Sequence, residues 1–152
     1  MVTIESLHSL MLDDDNKLGE LAAALSTSWG DRKINFELLT EIMDSPDHDL
    51  LVARNELKIP IGMAALSIIR GPVAGRVAYL EDFVVSPEAR GQRVGTVLWW
   101  AIEDWCRDHQ ADRIEWTCNP KRVAAHGFYL AQGAEIRTTD VFRLDLDVDL
   151  DA

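Results

Sequence analysis

The chain has 152 residues, 47% hydrophobic and 27% charged, the composition of one globular domain with a single buried core, and a second full domain is excluded. Its 26 acidic and 15 basic residues leave a net charge of -11, which argues against a surface that tracks nucleic acid phosphates or anionic lipid. No run approaches the roughly 20 apolar residues that span a bilayer, and Met1 to Leu12 lacks the basic start and small-residue cleavage site of a signal peptide; the expectation is a cytoplasmic protein with no nucleic acid or membrane partner.

Val2 to Glu5 is predicted to form a short strand. Asp13, Asp14 and Asp15 supply N-cap chemistry ahead of Leu18, Leu21, Ala22 and Leu25 at helical spacing, which predicts a helix ending near Trp29 and Gly30. A second helix carries Phe36, Leu39, Ile42 and Met43 on one side and stops at Ser45-Pro46, because proline disfavours helix in the residue before it. Leu50 to Ala53 and Ile61 to Ile69 are apolar runs separated by the polar stretch Arg54 to Lys58, and read as a hairpin. Gly71-Pro72 and Gly75 then turn the chain into a further antiparallel strand, Arg76 to Val85. From Val94 the period changes: Val94, Val97, Leu98, Ala101, Ile102 and Trp105 form a sustained helical stripe. Arg113 to Cys118 alternates as a strand, Arg122 to Gln132 reads as a helix closed by Gly133, and Ala134 to Leu150 reads as a terminal strand pair around Thr138-Thr139. In the last strand Phe142, Leu144, Leu146 and Val148 alternate with Arg143, Asp145, Asp147 and Asp149. The order is β-α-α-β-β-β-α-β-α-β-β, an α/β (α+β) domain over residues 1–152 with a mixed, mostly antiparallel sheet of about six to seven strands and about four helices.

Cys106 and Cys118 match no paired zinc spacing and the four histidines show no metal-binding arrangement, so no metal is expected and free thiols are favoured over a disulfide. Trp99, Trp100, Trp105 and Trp116 read as core or oligomer contacts. The turn Ser86 to Thr96 opens directly into the strongest helix. The first backbone N–H groups of a helix lack internal acceptors and carry the positive end of its dipole, and Gly91 and Gly95 allow a ligand to approach the backbone, so this turn suits a pyrophosphate.

Tyr79 to Pro87 followed by Arg90-Gly91-Gln92-Arg93-Val94-Gly95 resembles the GNAT superfamily of acetyltransferases, whose motif there is [QR]xxGx[GA]; Arg90 and Gly95 match its ends, and Arg93 stands where its first glycine usually sits. Arg122 to Ala134 is similar to a second signature of the superfamily, [NR]xxAxxFYxxxG[FA], in the same order and spacing. The resemblance implies the GNAT fold and acetyl-CoA as co-substrate. It implies that pantetheine meets main-chain groups near Phe83 and Val85, with a backbone N–H near Phe83 or Val84 on the oxyanion, and that the amides of Gln92, Arg93, Val94, Gly95 and Thr96 receive the CoA pyrophosphate; Arg90, Gly91, Asn119 and Arg122 are further candidate cofactor contacts. It also implies that Tyr129, at the usual acid position, protonates the leaving thiolate.

An alkyl amine is mostly protonated at neutral pH, so acetyl transfer to it needs a base. Glu81 is the first candidate and Asp82 the second, since adjacent strand residues face opposite sides unless a bulge intervenes. Tyr79 shares the Glu81 face, and His126 is assigned a structural part. Tyr79 to Phe83 with Gly133-Ala134 resembles spermidine/spermine acetyltransferases, while Lys121-Arg122, Ala125-His126 and Phe128-Tyr129 resemble aminoalkylphosphonate acetyltransferases. The acidic balance favours a small, polyamine-like amine, with an aminoalkylphosphonate, an amino acid, a protein amine or a non-catalytic acyl-CoA-binding module as alternatives. A homodimer is the expected assembly.

Overall fold

The computed structural model describes residues 1–26 and 33–146, in two compact units, Met1–Thr117 and Cys118–Ala152. The first unit holds the sheet. Its elements are β1 (Thr3–Ser6), α1 (Asp14–Leu25), α2 (Phe36–Asp44), β2 (His48–Arg54), β3 (Pro60–Gly71), β4 (Gly75–Val85), a single 3-10 turn at Pro87–Ala89, α3 (Val94–Asp108) and β5 (Arg113–Glu115). The second carries α4 (Val123–Ala131).

The five strands lie in sequence order, β1-β2-β3-β4-β5. The first four pair antiparallel, β2 to β4 through short turns and β1 with β2 across the excursion that holds α1 and α2, and β5 joins β4 in parallel, which requires the crossover that α3 supplies. Strand alternation sorts the core. Leu50, Val52, Met63 and Val84 point to one face and pack with Leu18, Leu21 and Ala22 of α1 and Leu39 of α2. Ala53 points to the other and packs with Ala89 and Val94, with Ile4, Ile61 and Val85 alongside. A Cβ at Gly62 would lie 3.2 Å from the Val84 carbonyl oxygen, tighter than ordinary contact, so glycine eases the approach of β4 to β3 there, while Leu98 of α3 at 3.6 Å would be in normal contact.

Several expectations are revised. α1 ends at Leu25, before the predicted stop; Trp29-Gly30 lies outside the described residues. Asp13 occupies the N-cap position in a left-handed conformation without capping by its side chain, and it is the Asp14 carboxylate that accepts the Met11 N–H at 2.8 Å. Arg54, expected in a polar connection, is fully buried at the end of β2: its guanidinium makes a two-pronged pair with Asp14 at 2.7 and 2.9 Å, donates to the Lys58 carbonyl at 2.9 Å and also bonds Glu5. β5 stops at Glu115 instead of Cys118, because β4 and β5 share a ladder only through Tyr79 and Glu115, and alternation without a hydrogen-bonded neighbour does not make a strand.

The predicted terminal strand pair is absent from 134–146, which has no regular secondary structure. Ile136, Val141, Phe142, Leu144 and Leu146 are all exposed, so the alternation there has no apolar face to bury against. Among the described residues the sheet accordingly has five strands instead of six or seven. Asp147, Val148, Asp149 and Leu150 lie outside the described residues.

Candidate active site

β4 is interrupted where the sequence placed the chemistry. Its register with β3 runs Glu81 opposite Ala65 and then Val84 opposite Met63, leaving Asp82 and Phe83 together against Ala64: a bulge. Asp82 takes φ 52° there. Glu81 shares its face with Tyr79, which pairs with Ser67, and with Ala65, which packs against the α1 and α2 core. Beyond the bulge Val84, not Phe83, turns to that core, so the extra residue reverses the alternation of the strand. Simple alternation between Glu81 and Asp82 therefore does not describe this segment.

Both carboxylates are on exposed residues, yet their surroundings differ. Neighbouring atoms strip water from the Asp82 carboxyl and raise its pKa above the usual carboxylate value. Phe83 is half-buried and meets Trp99 of α3 edge-on, with ring centroids 6.0 Å apart. Val84 and Val94 have buried side chains, so only their main-chain groups are available to a ligand.

The turn into α3 has the form an anion needs. Arg93 adopts φ 64°, ψ 12° as the N-cap, supplying from a non-glycine residue the left-handed conformation in which glycine is most at ease. The first helical N–H with a carbonyl partner is that of Val97, bonded to the Arg93 carbonyl at 3.1 Å, so the amides of Val94, Gly95 and Thr96 precede the helical pattern. Gly91 has φ 77°, and no atom lies within 4 Å of the place a Cβ would take. Arg90, Gly91, Gln92 and Arg93 are exposed, and Gln92 donates to the Glu88 carbonyl at 3.1 Å, tying the turn to the 3-10 segment before it. Ser86 donates to Glu88, whose carboxyl is held below its usual range by that bond. Open backbone, a helix N-terminus and two arginines fit a pyrophosphate.

The second unit holds the remaining candidates. Asn119 Oδ1 accepts the Lys121 N–H at 2.9 Å and its carbonyl accepts the Arg122 N–H at 2.9 Å, which is turn chemistry leading into α4. Lys121 and Arg122 are exposed. Tyr129 is half-buried beside Phe128, with centroids 5.8 Å apart, and burial, reinforced by Cys118 and opposed by Arg122, pushes its phenol up to about 12. His126 Nε2 is buried without a hydrogen-bond partner among the described residues. Gly133 closes the helix at φ 91°.

Cys106 and Cys118 are free thiols, and burial raises Cys106 to about 11, which leaves it unreactive. Among the described residues no cluster of His, Cys, Asp or Glu is placed to hold a metal ion, and no helix is long and apolar enough to cross a membrane. Trp99 and Trp105 are core residues as expected, Trp116 is half-buried, and Trp100 is exposed. Sequence reasoning raised the bulge only as an exception to alternation and did not foresee the charged cluster around Arg54; left-handed Asp82 has no local signature, and the partners of Arg54 lie 40 and 49 residues away.

A family model described as Acetyltransferase (GNAT) family matches residues 10–134. An aminoalkylphosphonate N-acetyltransferase of Salmonella typhimurium is 28% identical over 135 residues, covering 88% of this chain and 86% of that protein. The fold is shared with glucosamine-6-phosphate N-acetyltransferase of Arabidopsis thaliana, with a TM-score of 0.74 and 19% identity over 95% of this chain and 98% of that one. It is shared also with an aminoglycoside acetyltransferase from an uncultured soil metagenomic sample, with a TM-score of 0.79 and 19% identity over 95% and 97% of the two chains.

Proposed function

Because this chain belongs to the GNAT family of acetyltransferases, we propose that it transfers an acetyl group from acetyl-CoA to the primary amine of a small molecule. The observation that carries the reading is the bulged β4 running into an anion-receptive turn at the start of α3. Acetyl-CoA brings the thioester; the protein's part is to bind it, orient it and manage two protons.

The amides of Val94, Gly95 and Thr96, with the open backbone at Gly91, hold the pyrophosphate, and Arg90 and Arg93 add charge that an acidic protein otherwise lacks. The main chain of Phe83 to Val85 aligns the pantetheine arm as an added strand would. Glu81, on the face covered by α1 and α2, takes the proton of the incoming ammonium, directly or through water. Asp82, with its raised pKa, is the second candidate for that role. Tyr129 donates to the thioester sulfur. A phenol held up at about 12 stays protonated at neutral pH, while full transfer to an ordinary thiolate of pKa about 8.5 is uphill, so much of its contribution is the hydrogen bond itself. Tyr129→Phe should lower kcat and leave acetyl-CoA affinity near that of the wild type; unchanged turnover would remove it from the mechanism.

For the acceptor, the relative from Salmonella typhimurium, matched over most of both chains, moves an aminoalkylphosphonate ahead of the polyamine favoured by composition. Exposed Lys121 and Arg122 supply cations for a phosphonate. The polyamine reading keeps one observation in its favour, the exposed Glu81 and Asp82 in a chain of net charge -11. CoA release measured with aminoalkylphosphonates, spermidine, diamines, amino acids and peptides at matched concentration separates these readings. Loss on Arg122→Ala with acetyl-CoA affinity unchanged would place Arg122 on the acceptor. Tight CoA binding without release for any amine would favour a non-catalytic module.

A further inference from the structure

β4 and β5 are hydrogen-bonded neighbours only at Val77 to Tyr79 and Arg113 to Glu115, although β4 continues to Val85. Paired strands lie about 4.8 Å apart, so the side chains just past the ladder decide whether they stay close or separate. Trp116 comes next after β5. The indole of Trp99, on α3 and only 3% exposed, touches aromatic rings from both strands' ends: Phe83 in the β4 bulge at 6.0 Å and 81°, and Trp116 at 5.3 Å and 67°. One ring thus bridges the point where the two strands part.

The orientation of that ring is fixed by charge. Trp99 Nε1 donates to Glu103 Oε1 at 3.1 Å one turn along the helix, and the other carboxylate oxygen accepts from Arg107 Nη2 at 3.3 Å. A tryptophan has two rotatable side-chain bonds, and a hydrogen bond at its edge together with edge-on contacts on either side selects a single rotamer.

We propose that Trp99 is a positioning residue that spaces β5 from the bulged end of β4, with Glu103 setting its ring, so that the acyl-CoA arm can lie along β4 beyond Tyr79. The proposal rests on the reading of this chain as an acetyl-CoA enzyme. Trp99 touches neither substrate; it acts through Phe83 and Trp116. Packing alone would make Trp99 matter to stability, whereas spacing makes it matter to the acetyl-CoA parameters in particular.

The test uses Trp99→Phe, Glu103→Ala and Glu103→Gln in the full chain, with calorimetric binding of acetyl-CoA, separate KM values for acetyl-CoA and amine, and thermal melts. Trp99→Phe should lower kcat/KM for acetyl-CoA by about tenfold or more while the amine KM holds. Glu103→Ala, at a half-buried helix position that does not endanger folding, should shift the same parameter in the same direction, and Glu103→Gln, which keeps an acceptor oxygen, should restore it. Wild-type acetyl-CoA parameters in Glu103→Ala and in a folded Trp99→Phe overturn the proposal while the enzymatic reading stands; equal impairment in Glu103→Gln and Glu103→Ala overturns the orienting part of Glu103. If Trp99→Phe does not fold, Glu103→Ala decides alone. Absence of acetyl-CoA binding by the unmodified protein overturns both readings together.

Discussion

Asp82 combines a left-handed backbone with a carboxyl that loses water, two features that oppose stability. Its folded pKa lies above the ordinary value, so the native state is relatively favoured below that ordinary value and loses the advantage as pH rises through the folded one. Asp82→Asn, a residue that tolerates left-handed geometry, should therefore raise Tm at pH 7, and the difference should shrink below about pH 4. Thermal melts across pH check this, and equal Tm values at pH 7 would refute it. A fall in kcat/KM for the same variant would give Asp82 the base role over Glu81. Arg93 sits at φ 64° with a Cβ that glycine would lack. Arg93→Gly should stabilise the fold by about 1 kcal/mol in denaturant unfolding. It should also weaken CoA binding and flatten its dependence on salt, since one cation is lost.

Among the elements, α3 was fully legible, because a fifteen-residue helix repeats its apolar stripe often enough to declare its period. The candidate cofactor turn could be read from the same stretch, since such a turn and the helix it opens are contiguous in the chain. The β4 bulge was not legible: Tyr79 to Val85 alternates plausibly in either register, and only pairing with Met63 and Ala65 reveals the extra residue. Arg54 was misread for a related reason. A polar residue next to Asn55 resembles turn chemistry, and its burial depends on Asp14 and Glu5 from α1 and β1. Desolvation pushes the Asp14 pKa up, but the hydrogen bonds from Arg54 and the Met11 amide outweigh it and the net shift is downward. Its stabilisation is thus present above the ordinary carboxylate value and lost as pH falls through the depressed one. Asp14→Ala strands a buried guanidinium and should cost about 3–5 kcal/mol in equilibrium unfolding; a loss below about 1 kcal/mol would mean that Glu5 and the Lys58 carbonyl suffice.

For the whole molecule, a net charge of -11 makes association with a cationic amine steeper in salt than association with an aminoalkylphosphonate, whose own anion offsets the attraction. The ionic-strength dependence of kcat/KM for the preferred acceptor should carry that signature, and a flat profile with a polyamine would remove long-range attraction from the account. The antiparallel run of β2, β3 and β4 was legible from hairpin spacing, whereas the absence of the terminal pair from 134–146 shows that an alternating pattern states which face would be buried and not whether a neighbour is there. The strand order has a consequence for breathing. β2 and β3 are each held on both sides, while β5 hangs on a three-residue parallel edge. In hydrogen–deuterium exchange the amides of Arg113 to Glu115 should open through small local fluctuations long before those of Leu51 to Ala53, which wait for larger ones. Acetyl-CoA bound to the native state should slow both classes, since the larger openings also release it, but the fast class reports within the shortest labelling times, so the pliant edge of the sheet becomes the place where occupancy is felt first.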